Sequence, residues 1–214
     1  MPLILHGPAY STCAQRVSIV LREKNVPFEL RPVDLFKGEH KTPEHLKRQP
    51  FGQVPYLEDD GFFLYESRAI ALYIAKKYAS QGPDLYPTSL QKSALVDQWI
   101  SLETAHFTQH ASVIVYELIF KALFQPGASP DQAKVAEHKK KLESVLDVYE
   151  KELSGRDYLA GGELSVADLF HLPYGVKLFD AGLGGLIEGR PNVKKWWERL
   201  TARQSWKDTL AAAK

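Results

Sequence analysis

The chain has 214 residues, 44% hydrophobic and 25% charged, an ordinary globular composition that excludes a wholly disordered chain. Lys and Arg number 27 against 26 Asp and Glu, and the resulting net charge of +1 argues against a nucleic-acid binder. The single cysteine, Cys13, excludes an internal disulfide framework and any cysteine-rich zinc or iron–sulfur site. The longest apolar run, Ala69 to Ala75, falls far short of the ~18 residues that cross a bilayer. Residues 1–6 carry neither the basic start nor the long apolar core of a secretory signal. These features point to a cytoplasmic protein that acts on small molecules, with no membrane or nucleic-acid partner. At ~150 residues per domain, the length allows one large or two small domains.

In chain order, Leu3-Ile4-Leu5 reads as a short strand and a helix begins near Ser11, with Val17, Val20 and Leu21 on one buried face. A second strand spans Val26 to Leu30 and runs on to Asp34-Leu35, so the unit is βαβ and its two strands are parallel. A polar loop follows through Lys37 to Lys41 and on to Gly52. Val54 to Glu58 and Phe62 to Glu66 then flank Asp59-Asp60-Gly61, where Asp-Gly between apolar runs marks a hairpin. Ile70, Tyr73, Ile74 and Tyr78 form a helical stripe. Gly82-Pro83 stops that helix, which places a linker at 81–87 between a domain over 1–80 and another over 88–214.

Beyond the linker the pattern is helical. Leu95, Trp99, Leu102, His106, Val113 and Glu117 mark one long helix, broken by Gln125 to Pro130. Val135, Leu142, Leu146, Tyr149 and Leu153 mark another. At Ser165-Val166-Ala167-Asp168, Ser165 caps a helix start while Asp168 reaches back, and Leu164 with Leu169 supplies a hydrophobic staple. Helices over Val193 to Leu200 and Trp206 to Ala213 close the chain. The expected architecture is a small α/β domain followed by an all-α domain.

Four segments, in order and at matching spacing, resemble the glutathione transferases, in the phi-class form known from plants and fungi. They are Ser11-Thr12-Cys13-Ala14-Gln15-Arg16-Val17, Pro50-Phe51-Gly52-Gln53-Val54-Pro55, Glu66-Ser67-Arg68-Ala69-Ile70 and Leu159 to Leu169. The resemblance runs from residue 3 to about 206. It implies a thioredoxin-like N-terminal domain, a helical C-terminal domain carrying the electrophile pocket, a homodimer, and glutathione as co-substrate with no tightly bound cofactor.

The resemblance makes Ser11 the donor to the glutathione sulfur; taken alone, Ser11 reads first as a helix cap. A free thiol has a pKa of about 8.5, and lowering it by about two units requires roughly 2.7 kcal/mol. One charge-assisted hydrogen bond supplies roughly 1.5–3 kcal/mol, and a helix N-terminus adds roughly 0.3–1 kcal/mol. One well-placed serine is therefore enough. Around it the resemblance implies contacts from Thr12 and Gln53, and a cis Val54–Pro55 bond whose backbone receives the cysteinyl unit like an added strand. Glu66 suits the γ-glutamyl ammonium and Ser67, at a helix start, its carboxylate. His40 and Lys41 offer a cationic or donor pair to the glycyl carboxylate. By residue type alone His40-Lys41 reads first as a solvated loop, and Glu66-Ser67 equally as a cap.

The resemblance makes His106, Phe107, His110, Phe120, Phe124 and Tyr174, with Phe179, the loose expectation for the electrophile pocket, though core is the commoner fate of an apolar stripe. The resemblance makes Phe51 the expected dimer contact, with ordinary packing under the loop as the alternative. Glu103, His106 and His110 share a helix face at metal-like spacing, but His106 to His110 lacks the internal glutamate of the zincin motif, so no metal is expected. Cys13 reads as a small buried residue and Lys139-Lys140-Lys141 as a solvated helix face. Glutathione-dependent hydroperoxide reduction would use the same thiolate. A non-catalytic carrier of apolar ligands on the same fold is the alternative.

Overall fold

The computed structural model describes residues 3–213; Met1, Pro2 and Lys214, which the expected domain bounds include, lie outside them. The chain divides into two compact units, Met1–Tyr86 with Ala202–Lys214, and Pro87–Thr201.

The first unit opens with β1 (Leu3–His6), α1 (Thr12–Glu23) and β2 (Phe28–Arg31), with β1 and β2 parallel as expected. β2 ends at Arg31 instead of running on to Leu35. From Asp34 the chain turns, because the Asp34 carboxylate accepts from the amides of Phe36 and Lys37 at 2.9 and 3.0 Å. The hairpin is β3 (Tyr56–Asp59) and β4 (Phe62–Tyr65), and both turn residues take positive φ, Asp60 at 49° and Gly61 at 84°. The four strands lie in the order β2-β1-β3-β4, and β3 pairs antiparallel to both β1 and β4. The expected polar loop between β2 and β3 contains a 3-10 turn (Glu39–Lys41) and a short helix, α2 (Pro43–Arg48). Thr42 caps α2, and Pro43 starts it with a fixed φ and no orphaned amide. After β4 comes α3 (Ser67–Lys77).

Val17, Val20 and Leu21 are fully buried as the spacing predicts, but α1 also buries Gln15, Arg16, Ser18 and Ile19. The reason is a second neighbour. α1 packs on α3 and also on α12 (Gln204–Ala211), the closing helix that sequence spacing assigns to the helical domain. Arg203 Nε and Nη2 donate to the two Glu23 carboxylate oxygens at 2.5 and 2.7 Å, holding the segment before α12 against the end of α1.

The second unit begins with a run of helix from residue 90 to 124: α4 (Leu90–Leu102), a π-helical stretch (Glu103–Thr108), α5 (Gln109–Val115), a second π stretch (Tyr116–Phe120) and α6 (Lys121–Phe124). A π turn takes an extra residue, so the buried stripe slips by one. His106 and Val113, expected on that stripe, give way to Phe107 and Ile114, which are 1% and 0% exposed. α7 (Gln132–Glu152) follows and buries Val135, Leu142, Leu146 and Tyr149 as expected. The remaining helices are α8 (Val166–Leu169), α9 (Leu172–Asp180), α10 (Gly185–Glu188) and α11 (Pro191–Thr201). At α8 the capping box is present: Asp168 Oδ2 accepts from the Ser165 amide at 3.0 Å and from its hydroxyl at 2.9 Å. The other Asp168 oxygen accepts from the Leu159 amide at 2.8 Å and Trp196 Nε1 at 2.9 Å, which makes this carboxylate the junction of the core. No helix among the described residues is long and apolar enough to cross a membrane.

Candidate active site

The first unit gathers its polar groups at the N-termini of α1 and α3. Ser11 is the N-cap of α1 with φ −65° and ψ 126°, and its Oγ accepts from the Ala14 amide at 3.4 Å. Capping occupies a lone pair and leaves the hydroxyl proton free to be donated. The approach to the cap is fixed by Gln15 Nε2, which donates to the Ala9 carbonyl at 3.2 Å, and by the Ser11 amide, which donates to Pro8 at 3.0 Å. Thr12 is buried in the first turn, and Cys13 is half-buried. A Cβ on Gly7 would lie 3.4 Å from that of Pro55, 3.5 Å from that of Val54 and 3.6 Å from that of Ala14, so the first turn of α1 sits against the Val54-Pro55 segment. The Val54–Pro55 bond is cis, as the resemblance implies.

Glu66 precedes α3 with φ 70°, a left-handed conformation unusual for a residue with a side chain and typical of functional positions. Its carboxylate is exposed, and Ser67 behind it is 6% exposed. Ser67 Oγ accepts from Arg16 Nη1 at 2.8 Å, and the same nitrogen lies 3.5 Å from Cys13 Sγ. Arg16 thus joins the first turn of α1 to the first residue of α3, a role that sequence reasoning missed. An arginine on a helix reads as solvent-facing, and only the packing of α3 and α12 around α1 reveals the opposite.

The segment before the cis bond is held by its neighbours. Gln49 Oε1 accepts from the Gln53 amide at 3.1 Å, and His45 Nε2 donates to the Gln53 carbonyl at 2.8 Å. His45 and Gln49 are also absent from the sequence reading, because they lie on or beside α2, too short a helix to show a period. Lys41 Nζ donates to the Gly52 carbonyl at 2.8 Å and the Phe51 carbonyl at 3.3 Å, which ties the 3-10 turn to this segment. His40 is held below its ordinary pKa by burial first and then by the positive charges of Lys41 and His45. Near neutral pH it therefore offers a neutral donor, and Lys41 carries the charge. The Gln53 side chain is exposed, and Phe51 is 65% exposed.

In the helical unit the expected pocket residues separate. Phe120 and Tyr174 line one groove of about 630 Å³, together with Val113, Tyr116, Lys134 and His138. His106 belongs to a smaller apolar cavity of about 260 Å³ with Trp99, Leu102, Val145, Val148 and Tyr149. Phe107, expected in the pocket, is core, its ring 4.6 Å from that of His171. Phe179 is stacked 5.8 Å from Trp197. Phe124 is exposed, and His110 meets His138. Glu103, of the metal-like trio, is fully buried and accepts from the hydroxyls of Thr104 and Thr108. Lys139 and Lys141 pair with Glu143 and Glu137 on the outer side of α7.

Comparison with known proteins matches residues 1–76 to the glutathione S-transferase N-terminal domain and residues 112–204 to the glutathione S-transferase C-terminal domain. The chain is 43% identical to glutathione S-transferase F11 of Arabidopsis thaliana, over 100% of this chain and 99% of that one. It is 44% identical to glutathione S-transferase 3 of Zea mays, over 99% and 94% respectively. The chain belongs to the phi-class glutathione transferases. Its fold superimposes on glutathione transferase F7 from Populus trichocarpa with a TM-score of 0.95 at 43% identity, covering 99% of each chain. It likewise matches maize glutathione S-transferase I, solved in complex with an atrazine glutathione conjugate, with a TM-score of 0.92 at 37% identity, covering 100% and 98%.

As a glutathione transferase the chain is an enzyme that uses glutathione as co-substrate and joins its sulfur to an electrophile. Such chemistry needs a thiolate at neutral pH, hence a proton donor and positive potential at one point. At the first turn of α1 the Ser11 hydroxyl lies beside a helix N-terminus, where backbone amides carry positive potential.

Proposed function

We propose that Ser11 is the group that holds glutathione as its thiolate, by donating a hydrogen bond to the sulfur. The supporting observation is its place as N-cap of α1, with the hydroxyl oxygen accepting from Ala14 and no acceptor engaging its proton among the described residues. Thr12 adds its backbone in the same first turn. Glu66 takes the γ-glutamyl ammonium and Ser67 the neighbouring carboxylate. The Val54-Pro55 backbone and Gln53 receive the cysteinyl part. Lys41 meets the glycyl carboxylate as a cation and His40 as a neutral donor. In the helical unit, the groove lined by Phe120 and Tyr174 takes the apolar electrophile. The same thiolate can reduce an organic hydroperoxide: its sulfur takes the terminal oxygen and releases the alcohol, and a second glutathione then displaces that oxygen as water to form the disulfide. A cytoplasmic location suits a chain with one cysteine and a thiol co-substrate, both at home in a reducing compartment.

We further propose a homodimer. Phe51 is 65% exposed, and a phenyl ring suits the apolar cavity of about 260 Å³ that a second copy presents beside Trp99 and Val148.

The deciding experiment is glutathione conjugation to chlorodinitrobenzene across pH, with the unaltered enzyme and Ser11→Ala side by side. Losing a charge-assisted bond of roughly 1.5–3 kcal/mol corresponds to a fall of about 10- to 100-fold near neutrality, recovered as the pH approaches that of a free thiol. Equal rates at every pH would remove Ser11 from the role. No rate with either protein would favour carriage of apolar ligands.

A further inference from the structure

His110 on α5 and His138 on α7 face each other across two packed helices. Their Nδ1 atoms stand 3.2 Å apart, and their ring centres 5.2 Å apart at an interplanar angle of 71°. Two imidazole nitrogens bound to one tetrahedral ion at about 2.0–2.1 Å stand about 3.3 Å from each other, with ring centres about 5 Å apart. A straight N–H···N bond along both lone-pair directions at this nitrogen separation would instead put the ring centres about 5.5 Å apart. The observed ring-centre distance of 5.2 Å falls between these two arrangements, and the 3.2 Å nitrogen separation suits either a hydrogen bond or two ligands of one ion.

We propose that His110 and His138 form a two-histidine site for a divalent transition-metal ion (Zn²⁺, Ni²⁺ or Cu²⁺) that clips α5 to α7, with solvent completing the shell. Imidazole donors select these ions over Mg²⁺ and Ca²⁺, which take oxygen ligands. No third His, Cys, Asp or Glu converges among the described residues, so the site is an open one. Binding requires neutral rings. Lys141, one turn along α7 from His138, is paired with Glu137, whose carboxylate accepts from Lys141 Nζ at 2.6 Å. His138 lines the groove of about 630 Å³, which gives the ion a path from solvent. Both histidines project from helix backbone, so ligand spacing is set before any ion arrives.

The test is calorimetric titration of Zn²⁺ into the intact, tag-free, chelator-treated protein without glutathione, whose thiol would compete. One ion per chain is expected, with affinity falling about tenfold or more in both His110→Asn and His138→Asn, and unchanged in His106→Asn. Zn²⁺ should raise the melting temperature of the unaltered protein and of His106→Asn, and of neither paired-histidine variant. Electron paramagnetic resonance of Cu²⁺ in the unaltered protein should show two coupled nitrogens, a readout independent of how the variants fold. No binding, binding undiminished in either paired-histidine variant, or binding abolished by Cys13→Ser would overturn the proposal.

Discussion

Arg16 Nη1 donates to Ser67 Oγ across 2.8 Å, and both side chains are buried. Through this bond the first residue of α3 is positioned by the helix that Ser11 begins, 51 residues earlier by the same pair's spacing. The two ends of the proposed glutathione site are therefore mechanically coupled: what moves one helix start moves the other.

Ser67→Ala removes the acceptor of that bond together with the hydroxyl proposed for the γ-glutamyl carboxylate. The expected result is a rise of about tenfold in KM for glutathione with kcat little changed, and a stability loss of about 1–3 kcal/mol from the buried donor left behind. Initial rates against glutathione concentration and urea unfolding measure the two effects. An unchanged KM would release Ser67 from binding.

Asp168 is fully buried and accepts from Leu159, Trp196 and two Ser165 donors. Asp168→Ala strands all of them at once and should cost about 3–5 kcal/mol, enough to leave much of the helical unit unfolded at physiological temperature. Circular dichroism melts report it. A shift of only a degree or two would mean that the donors find other partners.

Phe51→Ser takes the ring out of the proposed subunit contact. Sedimentation velocity should show a dimer for the unaltered enzyme and a monomer, or a rapidly exchanging mixture, for the variant. A stable dimer in both would locate the contact elsewhere.

His6 is 7% exposed, stacked 4.2 Å from the Tyr56 ring and 3.0 Å from a Glu58 oxygen. Burial lowers its pKa, with the hydrogen bond to Glu58 opposing. On acidification the unfolded chain takes up its proton first, near about 6.5, while the folded chain still refuses it. The unfolded state holds more protons over that window, so stability falls as pH drops below about 6.5. His40 and His110, also lowered, act with the same sign. Urea midpoints should decline from about pH 7 to 5, and less steeply in His6→Gln. An identical slope in the variant would assign the decline to the other two.

Much of the N-terminal unit was legible because its signals are local. Asp60-Gly61 announces the hairpin by backbone preference, and Ser11 and Ser165 announce helix starts by the donors they satisfy. α2 escaped notice because its six residues are shorter than two helical turns. The π turns escaped because they shift the apolar phase by one residue, which moved the buried ring from His106 to Phe107. α12 was legible as a helix, but its place in the first unit was not: a short amphipathic helix states that it has a partner but not which one.

That last partnership has a temporal side. Arg203 reaches Glu23 across 180 positions. On a ribosome adding ~5–20 residues per second, the contiguous stretch 87–201 can be complete while the strands made before it still await their last helix. The earliest-made helix is thus among the last to be finished. A chain cut before residue 203 would leave uncovered the face of α1 on which α12 packs.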